Sequence, residues 1–444
     1  MDSSDALGTA TPSLRSDFVA NDDGHCVLDE EEHTRAAKPA ETAREARDGA
    51  GLTVLVAAAA QANAGAAQVA AAIADGVLAT FPSARVLQVP DLDTGTCFVE
   101  QTVELSGGRI ERITLPGPHG EIAVGKLGLS GPRDNLTAVI ATEEVVELQP
   151  GASRLQDPTS ASSRAIGQLI VSALDRGART IIVGCGISGT YDGGIGMAEA
   201  LGIRFFDAGR AEIVEAGGLL RLAAIDMSHR DPRLDGVRIQ AVVDPAHQLL
   251  GPFSVAPTLA PGHGASPSQV IRLERGLARF STIVREQLGV DVAAIPGAGA
   301  AGGLAAGLVA FTRAEVVSRG TFLDQCGALQ SALASADMAI VADAAPDPSI
   351  QPEVRALAGS GHVCAWLGGK AAALGLPVIA VPLEQLLNGI EPADHEGSDG
   401  APPAGPAGAG AISWTGRHGG RLHAIGADAL RRALGGWRRP AASG

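Results

Sequence analysis

The chain runs to 444 residues, more than one hydrophobic core normally organises, so two structured domains with tails are the expectation. Its 34 Lys and Arg face 49 Asp and Glu, a net charge of -15, which repels nucleic acid and anionic lipid and argues against a polyanion partner or a membrane surface. With 45% hydrophobic residues but only 3% aromatic, the interior has to be built from Ala, Val, Leu and Ile, a composition that suits layers of sheet and helix.

Residues 1–50 are polar and acidic, as in "NDDGHCVLDEEEHTR", and show no sustained apolar period. A disordered acidic arm is expected there, with its charge available to a protein partner. The opening stretch lacks a positive segment followed by an apolar core, and the five cysteines are widely spaced, so a reducing, cytoplasmic setting is expected. From Val54, "VLVAAAAQANAGAAQVAAAIADGVLA" has the look of a membrane span, but Gln61, Asn63, Gln68 and Asp75 interrupt it. It reads as a strand running into a helix. Buried-type apolar runs at 54–56, 85–89, 138–141, 180–183, 239–243, 338–341 and 378–381 alternate with helical patterns, which implies α/β layers. The clearest helix begins at "SPSQVIRLERGLARFSTIVREQLG", where Ser266, Pro267 and Gln269 supply a capping-box start and Gly289 a stop. Residues 391–444 open on "EPADHEGSDGAPPAGPAGAG", a flexible linker by composition, and end in a short basic tail.

Two glycine-rich loops carry the chemistry. The first, "GCGISGTYDGG" at 184–194, holds five glycines between the strand pattern "TIIVG" and the helical pattern "GMAEALG". Strand, glycine loop and helix in that order aim free backbone amides at an anion, so Gly186, Ser188, Thr190, Gly193 and Gly194 are candidates for binding a cofactor phosphate. Asp192 fits two roles, orienting a hydroxyl or metal and capping the helix that follows. The second loop, "PGAGAAGGLAAGLVAF" from Pro296, places Gly297, Gly299, Gly302 and Gly303 in or beside dinucleotide spacing. Pro296 interrupts the run before it and Glu315 is an indifferent ribose partner, so glycines that permit close helix packing are the alternative.

In this order the two loops resemble those of the type I glycerate kinase family, whose members move the γ-phosphoryl group of ATP to a hydroxyl of D-glycerate. The family stretch G-G-S-A-T-N-D-G-G-A-G-M followed by Q-A-L-G is similar to "GISGTYDGGIGMAEALG", and "PGAGAAGGLAAGL" is nearly a verbatim match. Between them, "DPAHQLLGPFSVAPTLAPGHGASPSQV" is similar to D-V-T-N-P-L-L-G and F-G-P-Q-K-G-A-T-P. The resemblance implies two α/β domains with the active site in the cleft between them. One is flavodoxin-like with a five-stranded parallel sheet, its halves expected near 51–90 and 290–390. The other is inserted into it at 91–289. It also implies ATP, Mg2+ and a small hydroxy-acid substrate such as glycerate, with Asp192 and Asp244 near the acceptor.

The sequence departs from that pattern mainly at polar positions. "AAAAQANAGAA" stands where the family has P-D-S-F-K-G-S-L, "VPDLDTGT" replaces M-A-D-G-G-E-G-T, and "DPTSASSRAIG" replaces N-P-x-x-T-T-x-G-x-G. Tyr191 takes the asparagine position of T-N-D-G-G, His247 that of N-P-L-L-G, and His263 the lysine position of P-Q-K-G. Arg164, beside a helix start, is the candidate replacement cation. Asp343 and Asp347, after "MAIVAD", are the candidate magnesium ligands, and His247 and His263 are candidates for general base or phosphate contact. Phosphoryl transfer rests on positioning and charge neutralisation, so a weakened or altered kinase is expected. The alternative is a kinase fold kept as a small-anion sensor or protein-binding module.

Overall fold

A computed structural model describes residues 51–59, 66–90, 92, 97–143, 157–186, 188–243, 247–251, 253–343 and 363–382, with two short strands at 413–415 and 421–423. The acidic arm at 1–50 lies outside these residues, as do Asp244 and Asp347. In chain order the elements begin with β1 (Thr53–Ala58), α1 (Ala66–Thr80), β2 (Arg85–Val89), α2 (Phe98–Ser106), β3 (Arg109–Pro116), β4 (Ile122–Ser130) and β5 (Leu136–Ala141). They continue with α3 (Arg164–Asp175), β6 (Ala178–Cys185), α4 (Ile195–Ala200), β7 (Arg204–Asp207), β8 (Leu222–Asp226), β9 (Arg238–Val243), α5 (Val255–Leu259) and α6 (Pro267–Leu288). The last are α7 (Leu304–Thr312), β10 (Glu315–Ser318), α8 (Arg319–Gln325), α9 (Gly327–Ser335), β11 (Met338–Asp343), α10 (Val363–Ala373), β12 (Val378–Pro382), β13 (Ser413–Thr415) and β14 (Arg421–His423).

Two sheets organise the chain. The first has four parallel strands among the described residues, in the order β12-β11-β1-β2. Its central strand, β1, is TVLVAA and buried along its whole length, which explains a continuous apolar run in place of an alternating one. The second has six strands in the order β10-β9-β6-β5-β4-β3, parallel from β10 to β5 and antiparallel through β4 and β3. One face of it is covered by α3, α4, α6 and α7, whose buried residues share a core with Ile140, Ile181, Val183 and Ala241. On the other face Phe98, Val99 and Val103 of α2 pack over Val139, Ala141 and Ile182.

The mixed α/β architecture and all seven strands read from the sequence are present. The antiparallel pair β3 and β4 adds to them. β3 is an edge strand and Ile110, Ile122 and Val124 remain exposed, so the buried-run signature is absent there. The border between the two domains also differs from the expectation. The expectation places 290–390 with the first sheet, yet within it β10 pairs with β9 and α7 lies in the core of the six-stranded sheet. The chain rejoins the four-stranded sheet through α8 and α9, whose Leu323, Leu329 and Leu333 enter its core. Within 391–444, the described residues form an antiparallel pair, β13 with β14. Helix α6 carries its expected capping box at Ser266 and Gln269 and ends on Gly289 in the left-handed conformation. Among the described residues no helix is long and apolar enough to cross a membrane.

Candidate active site

Strand β6 ends at Cys185, beside the end of β5. There Gly186 donates its N–H to Thr142 Oγ1 at 3.1 Å, joining the two strand ends. The first glycine loop then crosses to α4. Ser188, Gly189, Thr190 and Tyr191 are buried, and Ser188 Oγ lies 3.2 Å from Thr190 Oγ1. The N–H groups of Gly189, Thr190 and Tyr191 find no acceptor among the described residues. Buried backbone donors are almost always satisfied, so these three N–H groups are candidates for receiving an acceptor oxygen.

The second loop holds the first in place. Gly193 donates its N–H to the Gly302 carbonyl at 3.2 Å. A Cβ on Gly302 would fall 1.6 Å from the Thr190 carbonyl oxygen, and one on Gly307 would fall 2.6 Å from that of Gly193. No strand leads into this loop, only a short 3-10 turn at Val292–Ala294, so the strand that dinucleotide spacing needs is missing. Gly299 presses on the segment before α5, its N–H donating to the His247 carbonyl at 2.9 Å. Gly297 and Gly303 both have positive φ, at 81° and 88°.

Asp192 is fully enclosed and accepts four hydrogen bonds. Ser163 N and Oγ donate to its Oδ2 at 2.8 Å each, Gly196 N donates to Oδ2 at 3.1 Å, and Gly194 N donates to Oδ1 at 2.9 Å. Burial raises its proton affinity, opposed by these donors. Ser163 Oγ in turn accepts from Met197 N at 3.0 Å, so one carboxylate and one hydroxyl pin the first turns of α3 and α4 together. Sequence reading passed over Ser163 in favour of its neighbour, although a serine just before a helical run is an N-cap signal. Thr142 gave no local signal at all.

The other candidates divide. His263 Nδ1 lies 2.6 Å from the Tyr191 hydroxyl, and burial lowers the proton affinity of this histidine. His247 Nδ1 is enclosed and has no hydrogen-bond partner among the described residues. Arg164 reaches not the loops but Glu199 Oε1, at 2.5 Å. Asp343 ends β11 on the other sheet, where its backbone pairs in register with Pro382; its side chain is outside the description. Among the described residues no three His, Cys, Asp or Glu side chains gather to hold a metal.

The sequence model of the glycerate kinase family matches residues 54–399. The chain is 35% identical over 335 residues to the glycerate kinase of Halalkalibacterium halodurans, covering 75% of this chain and 85% of that one. It is 38% identical over 254 residues to the glycerate 2-kinase of Escherichia coli, covering 57% of this chain and 66% of the relative. The crystal structure of a glycerate kinase 2 from Salmonella typhimurium LT2 superposes with a TM-score of 0.63 at 34% identity, covering 74% of this chain and 86% of that one. The chain belongs to the glycerate kinase family.

Proposed function

We propose that the chain transfers the γ-phosphoryl group of ATP to a hydroxyl of glycerate or a closely related small hydroxy acid. The observation that carries this reading is the set of buried N–H groups at Gly189, Thr190 and Tyr191 that have no acceptor among the described residues, fixed at the end of a parallel strand by a second glycine loop. Such a cradle fits phosphate oxygens, which accept several backbone donors at once. The hydroxyls of Ser188 and Thr190 add polar contacts, while Gly186, Gly193 and Gly194 let the backbone turn around the ligand. Gly297, Gly299, Gly302 and Gly303 act behind it, as the packing surface that keeps the cradle in shape.

In the reaction the acceptor hydroxyl oxygen forms the new P–O bond, the bond from the γ-phosphorus to the bridging oxygen breaks, and ADP departs. The hydroxyl proton needs an acceptor, for which His247 and His263 are the candidates among the described residues, with Asp244 outside them. Asp192 holds the loop and takes no part in proton transfer, since four donors already occupy its oxygens. Arg164 pairs with Glu199 through Nη1, so part of its charge is already balanced. Asp343 and Asp347 are the proposed Mg2+ ligands, and a bound ion would neutralise charge on the phosphates. A cytoplasmic location, with glycerate and nucleotide at hand, fits this reading.

The test is ADP release by the full chain with ATP, Mg2+ and D-glycerate. A rate well above the glycerate-free background is expected. No rise with D-glycerate or with other small hydroxy acids would overturn the proposal.

A further inference from the structure

Tyr191 is the one tyrosine in the chain and is fully enclosed. Its Cα sits against the second glycine loop, 3.1 Å from where a side chain on Gly302 would begin. Its hydroxyl meets His263 Nδ1 at 2.6 Å, with the two rings 5.9 Å apart and tilted by 52°. His263 is anchored in the turn between α5 and α6, where its own N–H donates to the carbonyls of Leu259 and Ala260.

The proton positions follow from chemistry. Burial pushes the Tyr191 hydroxyl well above its usual range, so it keeps its proton and donates, and Nδ1 accepts. A neutral imidazole that accepts at Nδ1 carries its hydrogen on Nε2. Nε2 has no hydrogen-bond partner among the described residues, and the His263 side chain is only half-buried. Both positions are ones at which this chain leaves the family pattern, tyrosine for asparagine and histidine for lysine. In the fold they touch, although 72 residues apart.

We propose that Tyr191 and His263 act as one unit, in which the tyrosine hydroxyl locks the imidazole as an Nε2–H donor to an anionic oxygen of the bound substrate, carboxylate or phosphoryl. Tyr191 is the positioning residue and His263 meets the ligand. The identity of that ligand rests on the kinase reading; the lock itself does not. Because Nε2 already carries a hydrogen, the same geometry leaves His247 in place of His263 as the histidine available to accept the acceptor's proton.

The full chain carrying nitrogen-15 histidine tests this by NMR in mildly alkaline buffer, with the His263 signals assigned by their loss in His263→Gln. The native chain is expected to show one His263 tautomer, protonated at Nε2, and Tyr191→Phe to populate both. Mixed tautomers in the native chain, or an unchanged ring in Tyr191→Phe, would overturn the lock. D-glycerate and ATP, added separately, distinguish the two sources of anionic oxygen. The one that shifts the Nε2–H signal is the ligand, and no shift with either overturns the contact. In turnover, each single variant is expected to raise KM for that ligand about fivefold with kcat within about twofold, and the double variant to be no worse. Additive effects would break the unit apart. A native chain that releases no ADP defeats the kinase reading alone, because tautomer and ligand shifts are read without turnover.

Discussion

Gly193 and Gly302 are joined backbone to backbone, N–H to carbonyl at 3.2 Å, across 109 positions of sequence, so neither glycine loop is shaped by itself. The contact leaves no room for a side chain. A Cβ on Gly302 would sit 1.6 Å from the Thr190 carbonyl oxygen, and the residue's φ of +67° is itself unfavourable for any other residue.

Gly302→Ala is therefore expected to cost at least ~3 kcal/mol, because a backbone oxygen has to move and a strained conformation has to be held. Gly369→Ala is the control. It lies inside α10, where a Cβ meets nothing within 4 Å, and it is expected to be neutral or stabilising by up to ~1 kcal/mol. Urea unfolding of both variants reads the difference, and similar midpoints would mean that the loops are not packed as described.

Asp192 tests whether a buried acid in a glycine loop is structural or chemical. Three of its four donors converge on Oδ2 and one on Oδ1. An asparagine has one acceptor oxygen, so its amide must face at least one N–H. Asp192→Asn is expected to lose about 2 kcal/mol and Asp192→Ala about 3 kcal/mol or more, with activity falling in step. A variant of native stability that is inactive would give Asp192 a direct part in the reaction.

The layers were legible because central strands such as β1 and β6 are buried on both faces and announce themselves as apolar runs. Edge strand β3 alternates exposed and half-buried residues, and β10 has only four, so neither stood out. The glycine loops were legible as loops but not as partners. Spacing suggested a dinucleotide for Gly297, Gly299 and Gly302, whereas the space around Gly299 and Gly302 is taken by backbone of the 247–248 segment and the first loop. Tyr191 and His263 were each singled out as departures. That they form a pair is a tertiary fact with no local trace, since one lies in the first glycine loop and the other in the turn before α6.

His263 gives a pH dependence of known sign. Burial lowers its proton affinity below the ordinary value near 6.5, so the unfolded chain takes up the proton first as pH falls. Its contribution to stability is complete above about pH 6.5 and is lost progressively below it, toward the lowered folded value. Native protein is thus expected to lose more stability between pH 7.5 and pH 5, by urea midpoint, than His263→Gln does. Parallel losses would show that the ring is solvated alike in both states.

Charge neutralisation at the phosphates has to come from somewhere, and the described basic side chains nearest in role are committed elsewhere. Lys126 pairs with Glu100, Lys370 with Asp324 at 2.7 Å, and Arg164 with Glu199 at 2.5 Å. Backbone N–H groups carry only partial charge, too little to balance a nucleotide triphosphate without a divalent ion. EDTA is accordingly expected to stop ADP release and added Mg2+ to restore it. If Asp343 and Asp347 hold that ion, Asp343→Asn and Asp347→Asn each raise the Mg2+ concentration for half-maximal rate by about tenfold, since a hard cation favours charged oxygen ligands. An unchanged Mg2+ requirement in both variants would move the metal to other acids, and full turnover in EDTA would leave neutralisation to Arg164.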